Sequence, residues 1–320
     1  MQSVTFIDNT SASHLYDSLP SETFRLLIIQ PAVDLQAPLR CSLKVAKPAN
    51  STYTALSYCW GDVNNVVPIY VDDAVKWITT NLHAGLRELR KADLKLTLWV
   101  DAICINQHDL AERANQVEMM HDIYSNANTV VVWLGPEENE SYRAMRFIVY
   151  WGQKCALKNV FGVERDRQQF AHELLSVHLC SPWTWTAVNR IDNNANWTAL
   201  FYFLRRQWWR RVWILQEFVL GGNVDIVCGN ERIGWNMLEC LWIIPLGRLQ
   251  SGNPEVTSKL RSTISTWIEG LGNEVLYVVS DLIHHRYRWQ ETTAHGHDPR
   301  HQHPLYVAMC LGRRLCSGPP

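Results

Sequence analysis

Apolar and polar positions follow two rhythms along this chain, and the boundaries between them are clearest from Leu98 to Gly135. Thr97 to Ile103 is short, apolar and β-leaning, which predicts a strand buried on both faces, with one carboxylate, Asp101, near its end. The polar turn Asn106-Gln107-His108 follows, and Asp109 can cap a helix, with Glu112 reaching back as in a capping box. Leu110, Ala114, Val117, Met120 or His121, Tyr124 and Ala127 then recur at helical spacing and define one apolar face. Asn126 and Asn128 end that helix. Thr129 to Leu134 is a second buried strand, stopped by Gly135-Pro136. The stretch therefore reads as a β-loop-α-β unit with parallel strands and a right-handed crossover.

The remaining segments fit around this unit. Residues 1–23 are polar and read as a flexible N-terminal segment. Phe24 to Ile29 (FRLLII) predicts a strand, Arg40 to Val45 an edge strand, and Tyr53 to Tyr58 a buried strand running into Cys59-Trp60-Gly61-Asp62. Residues 67–78 predict a hairpin turning at Asp72-Asp73. Thr80 can cap a helix that turns Leu82, Leu86 and Leu89 inward. Residues 136–207 have mostly helical periodicity, through Ala144, Phe147, Ile148 and Trp151, and read as an α-helical insertion. Trp208 to Leu220 continues as an apolar segment that Gly221-Gly222 ends as a C-cap pair. Val224 to Cys228, a Gly229-Asn230 turn and Glu231 to Trp235 form a second hairpin. Residues 24–240 are thus expected to form one domain, and 241–320 a helical extension and tail, with helices near 255–270 and 273–288.

Composition narrows the classes. A chain of 320 residues, 47% hydrophobic and 19% charged, is globular, and its net charge of −1 gives no electrostatic reason to expect nucleic acid or anionic membrane. No apolar run approaches a membrane span, and the first twenty residues lack a basic start and an apolar core, so a cytoplasmic protein is expected. Nine cysteines without a C-x-x-C pair suit buried free thiols in a reducing compartment. Fifteen tryptophans point to a large aromatic core before they point to ligand stacking.

Chemistry is expected beyond the carboxyl ends of the parallel strands. Two strand exits carry polar clusters there: Ser57, Tyr58, Trp60, Gly61 and Asp62 on one, and Asp101 with Asn106 and Gln107 on the other. Glu217 is the third element, a carboxylate in an apolar segment that shares a helical face with Trp213. Burial would raise its pKa, as at many functional sites, and an ion pair with Arg210 or Arg211 is the structural alternative. Six histidines near the end have irregular spacing and no supporting Cys or Asp pattern, so no metal is expected. Walker, G-x-G-x-x-G, G-x-S-x-G and H-E-x-x-H motifs are all missing.

The segments Tyr53 to Gly61, Leu98 to Gln107, Glu112 with Gln116-Val117, Met120, Ile123-Tyr124 and Ala127, Trp133 to Gly135, Arg211 to Glu217 and Cys228-Gly229 resemble the successive motifs of the fungal heterokaryon-incompatibility (HET) domain. The resemblance begins near Phe24 to Leu27, with Pro38-Leu39 and Cys41, and covers roughly residues 24–235. It implies nonself recognition and programmed death of incompatible fused cells in a filamentous fungus, through protein partners and a homo-oligomer. HET domains are in turn distantly similar to TIR domains, which implies a mainly parallel, flavodoxin-like sheet flanked by helices. Leu56 to Tyr58, Trp99 to Asp101 and Trp213 to Glu217 fall on TIR motifs, with Ile214 where the TIR pattern has Cys. By that second resemblance Glu217 would be the catalytic residue of an NAD hydrolase, with NAD as substrate and no resident cofactor. Asp298 to His301 and Leu311-Gly312 resemble a disturbed form of motifs beyond the domain, which implies a truncated or altered version of a longer protein.

Overall fold

In this computed structural model, residues 15–156, 193–211, 214–239, 282–283, 285–286 and 288–290 are described. Their strands are β1 (Phe24–Ile29), β2 (Arg40–Ala46), β3 (Thr54–Tyr58), β4 (Val66–Val71), β5 (Ala74–Thr79), β6 (Leu96–Trp99), β7 (Thr129–Trp133), β8 (Val224–Cys228) and β9 (Glu231–Gly234). All join one sheet in the order β5-β4-β2-β1-β6-β3-β7-β8-β9. The centre, β6-β3-β7-β8, is parallel, and in chain order its strands lie second, first, third, fourth. Strand order therefore reverses beside β3, the place where doubly wound sheets bind ligands.

A mainly parallel sheet was expected, and the flanks correct this. The junctions β1–β2, β1–β6, β4–β5 and β8–β9 are all antiparallel. Two-residue connections account for β4–β5 and β8–β9. Asp72 and Asp73 both take positive φ (46° and 65°), as a tight hairpin turn requires, and Gly229 (φ 56°) turns β8 into β9. The supposed edge strand β2 is internal, because Arg40 and Cys41 pair with Tyr70 and Val71 of β4.

Helices cover both faces. They are α1 (Thr80–Leu89), α2 (Asp101–Cys104), α3 (Leu110–Asn126), α4 (Ser141–Ala156), α5 (Asn193–Leu204) and α6 (Ile214–Val219). On β7 the Trp133 indole donates to Asn81 of α1, at 3.1 Å. Ser57 on β3 faces α6 instead. Ser57 pairs with Val132, one residue before Trp133, so α1 and α6 lie on opposite faces. The consequence is visible in burial: Ala55 to Tyr58 and Val130 to Trp133 are buried without alternation.

Several local expectations fail for identifiable reasons. The strand expected to reach Ile103 ends at Trp99, because the Val100 carbonyl accepts from the Ile103 and Cys104 amides (3.0 and 2.7 Å) and starts a helical turn. The capping box is half built. Asp109 accepts from the Ala111 and Glu112 amides, but Glu112 turns away to Arg25 and to the Asn106 amide. Leu110 is 68% exposed, and the polar Gln116 is buried in α3 instead. Thr79, not Thr80, caps α1. Trp208 to Leu220 is no continuous helix: a 3₁₀ turn over Gln207–Arg210 precedes extended Arg211, and α6 starts at Ile214. Gly221 and Gly222 do not adopt positive φ; Gly221 is needed because a Cβ there would lie 2.5 Å from Val130.

Leu82, Leu86 and Leu89 are buried as the helical spacing predicted. Leu15 is buried and Tyr16 donates to the Ile103 carbonyl at 2.9 Å, so the chain is packed from the first described residue. Among the described residues no helix is long and apolar enough to cross a membrane, and no cluster of His, Cys, Asp and Glu could hold a metal. Cys41, Cys104 and Cys228 are buried free thiols, and Cys59 is half-buried and free. The helices expected near 255–270 and at the start of 273–288 lie outside the described residues, as do most of the terminal histidines.

Candidate functional site

β3 delivers Ser57 to the carboxyl end of the parallel centre, and three side chains from one distant stretch, Trp208, Arg211 and Glu217, gather there. Ser57 Oγ donates to Glu217 Oε2 and accepts from the Trp208 indole at 2.7 Å. Arg211 closes the group with a two-pronged contact: its two terminal nitrogens lie 2.9 Å from the two Glu217 carboxylate oxygens. Glu217 is 3% exposed, so the carboxylate is dry and every strong donor it meets belongs to this chain.

Electrostatics at this point run in opposite directions for the two partners. Burial raises the Glu217 carboxyl above its ordinary value; Arg211 and the Ser57 hydroxyl pull it back only in part. Burial also acts against the Arg211 charge, but the Glu217 carboxylate outweighs it, so Arg211 is held firmly cationic. Cys59 is pushed up to about 11, chiefly by burial. Tyr58 and Tyr124 are raised well above the usual phenol, first by burial and then by the carboxylates of Asp101 and Glu217 respectively. The group sets one fixed cation against a buried carboxylate whose pKa is raised.

β6 contributes the second exit. Asp101 accepts at 3.0 Å from the Trp60 indole, which joins the two loops on one rim. Gln107 supports the same turn by donating to the Asp101 carbonyl at 2.8 Å. Asn81 of α1 donates to the Cys59 carbonyl at 2.7 Å and so fixes the path of the chain from β3 to Trp60. Gly61 turns this loop at φ +78°, with Asn81 Cβ 3.2 Å from where a side chain would begin.

The candidate residues therefore separate. Ser57, Tyr58, Trp60, Asp101 and Glu217 come together, with Gly61 and Gln107 shaping the loops around them. Asp62 does not join: it is exposed and accepts from Asn64. Asn106 is used locally, its side chain accepting from the His108 amide and its own amide donating to Glu112. Trp213 lies outside the described residues. The ion pair foreseen for Glu217 with Arg210 or Arg211 is made by Arg211. Trp208, which caps the Ser57 hydroxyl, was missed; its signal was the run of aromatic residues directly before the Glu217 segment.

These residues lie within a stretch matched by a family model. The sequence model of the heterokaryon incompatibility protein (HET) family matches residues 53–217, just over half of the chain. The chain belongs to the HET family. Among characterised proteins it is similar to "Heterokaryon incompatibility protein 6, OR allele" of Neurospora crassa, with 33% identity over 265 residues, covering 73% of this chain and 38% of that protein. The chain thus spans well under half the length of that relative. No solved structure matches it significantly.

Proposed function

We propose that this chain is an effector domain of heterokaryon incompatibility in a filamentous fungus, taking part in nonself recognition that ends in programmed cell death. The observation that carries the reading is convergence. Ser57 and Glu217, at opposite ends of the matched stretch and 160 positions apart, are hydrogen-bonded, with Arg211 and Trp208 completing the group. A family signature spread this widely and gathered this tightly is what a working site requires. In this reading the domain acts in the cytoplasm with protein partners, as an assembly module or homo-oligomer, and Glu217 locks the rim in its assembly-competent form. Expression of the chain in fungal hyphae tests it. Loss of cell death in Arg211→Met and Glu217→Gln variants that stay folded supports the reading, and undiminished death in both refutes it.

A second reading is favoured by one further observation, the position of a buried carboxylate against Ser57 of β3, beside which the strand order reverses. By its TIR resemblance Glu217 would assist cleavage of the nicotinamide–ribose bond of NAD, whose oxocarbenium-like transition state a fixed carboxylate stabilises. Trp60, half-buried beside Asp101, would stack on a ring of the nucleotide. Arg211 must first release the carboxylate, because both oxygens are engaged. Incubating the purified chain with NAD and following nicotinamide decides between the two: release that Glu217→Gln abolishes means catalysis, and no release leaves the assembly reading.

A further inference from the structure

The helix that carries Glu217 is short, and its end is not closed by its own sequence. α6 has only six residues, and no left-handed glycine follows it. Leu220 returns one hydrogen bond to the Gln216 carbonyl at 3.3 Å, but the carbonyls beyond need other donors. Arg286 supplies them from far along the chain. One terminal nitrogen lies 2.6 Å from both the Phe218 and Gly221 carbonyls, and the other lies 2.8 Å from the Gly222 carbonyl. The guanidinium also lies over the Phe218 ring, 5.1 Å from its centre. Arg286 is buried, which pushes its pKa down to about 10 against the opposing pull of the Glu239 carboxylate.

The segment around Arg286 is itself anchored. The described residues between 282 and 290 are helical, Leu282 is fully buried, and Trp289 meets His121 of α3 edge-on at 5.6 Å. α6 packs against α3 and β3. Opposite Arg286, the turn after α6 sits so close to β7 that Gly221 has no space for a Cβ beside Val130. The end of α6 is thus gripped from two sides, by β7 and by a segment that lies beyond the residues of the family match.

We propose that Arg286 is a positioning residue for the Ser57–Glu217–Arg211 group, and that the segment 282–290 is a latch that keeps α6 seated. Withdrawal of the latch leaves three carbonyls without donors, frays α6 from its end and turns Glu217 away from Ser57. A partner that competes for this segment would open the site without touching it. The inference rests on the reading that this group is the working site, but its test does not.

Hydrogen exchange is measured on the full chain, unmodified and as Arg286→Gln. In the unmodified chain, residues 214–222 and 282–290 open together, with protection agreeing within about three-fold. In Arg286→Gln, protection of 214–222 falls by about ten-fold or more while β3 and β8 keep theirs. The indole N–H resonance of Trp208, which reports on Ser57, shifts in the same variant. Arg286→Lys keeps the charge without the fork and restores only part of both signals. Independent opening of the two segments in the unmodified chain overturns the proposal, even if the Gln variant does not fold. So does an Arg286→Gln protein in which α6 and Trp208 are unchanged. If hyphal death survives Glu217→Gln while the two segments still open together, the functional reading fails and the latch stands.

Discussion

Among the described residues two arginine–glutamate pairs are buried, and they are built from different surroundings. Arg25 reaches Glu112 with both terminal nitrogens, at 2.6 and 3.1 Å, its other hydrogen bonds go to the backbone carbonyls of Asp17 and Cys104, and its guanidinium lies 4.9 Å from the centre of the Tyr16 ring. Glu112 spends its other capacity on the Asn106 amide. This pair binds backbone to backbone, tying the N-terminal segment, β1 and the α2–α3 connection together. Arg211 and Glu217 sit six residues apart, and Glu217 finds its third partner in a side chain, Ser57, backed by Trp208. The buried partner also differs. Side-chain exposure is 3% for Arg25 and 10% for Glu112, against 21% for Arg211 and 4% for Glu217. A carboxylate that is deeper than its cation, and surrounded by side chains that can rearrange, is arranged for chemistry or switching. A cation deeper than its carboxylate and fastened to carbonyls is arranged for rigidity.

The largest expected effect is on the rigid pair. Arg25→Met leaves Glu112 with a buried charge and two carbonyls without a donor, and should lower stability by about 3–5 kcal/mol in urea unfolding. A loss no larger than surface-mutation scatter would erase the distinction between the pairs. Arg211→Met should cost less, about 1–3 kcal/mol, because burial already raises the Glu217 carboxyl above its ordinary value and loss of the cation raises it further, so the carboxyl can take up a proton instead of staying as a bare buried charge. An Arg211 variant more damaging than the Arg25 variant would reverse the assignment.

The pH dependence sharpens the contrast further. Burial raises the Glu217 pKa in the folded state above its value in the unfolded chain. As pH falls, the folded state therefore takes the proton first. The resulting contribution is complete below the ordinary carboxylate range and is lost as pH rises through the raised folded value. The stability of the natural chain relative to Glu217→Gln should accordingly decline with rising pH across that window, as read by thermal unfolding at a series of pH values. A difference independent of pH would mean that Glu217 is ionised as easily in the fold as out of it. The smallest effect belongs to the rim. Trp60→Phe removes the hydrogen bond to half-buried Asp101 and should cost about 0.5–1.5 kcal/mol. A cost equal to that of Arg211→Met would place the rim loop inside the rigid half of the comparison.

The two pairs also mark how far the sequence could be read. Local pattern was sufficient for β3, β7, both hairpins and the apolar face of α1, because each depends on neighbours within a few positions. It was sufficient to single out Glu217 too, since a lone carboxylate in WILQEFVL stands out against its surroundings. Arg25 gives the same signal inside FRLLII, but its partner lies on a helix whose start reads as complete with a capping box. Arg286 gave no local signal, since the carbonyls it serves belong to another segment. Sheet order was equally hidden: nothing around Arg40 and Cys41 indicates that β4 lies alongside them. The end of β6 was hidden as well, since a carboxylate such as Asp101 following a strand serves equally well to start a helical turn.

The antiparallel hairpins at the two edges of the sheet also set an order of events. β4 with β5 and β8 with β9 are joined by two-residue turns and can close on the timescale of isolated hairpins, about 1–10 μs. The parallel centre cannot, since Thr54 must find Thr129 and Val130 must find Val224 across long loops whose closure is entropically slow. The outer strands are therefore available before the apolar middle exists. Growth from these borders keeps β5 and β9 outermost throughout and brings in β3 and β7 last, so their apolar edges face each other only for the final pairing.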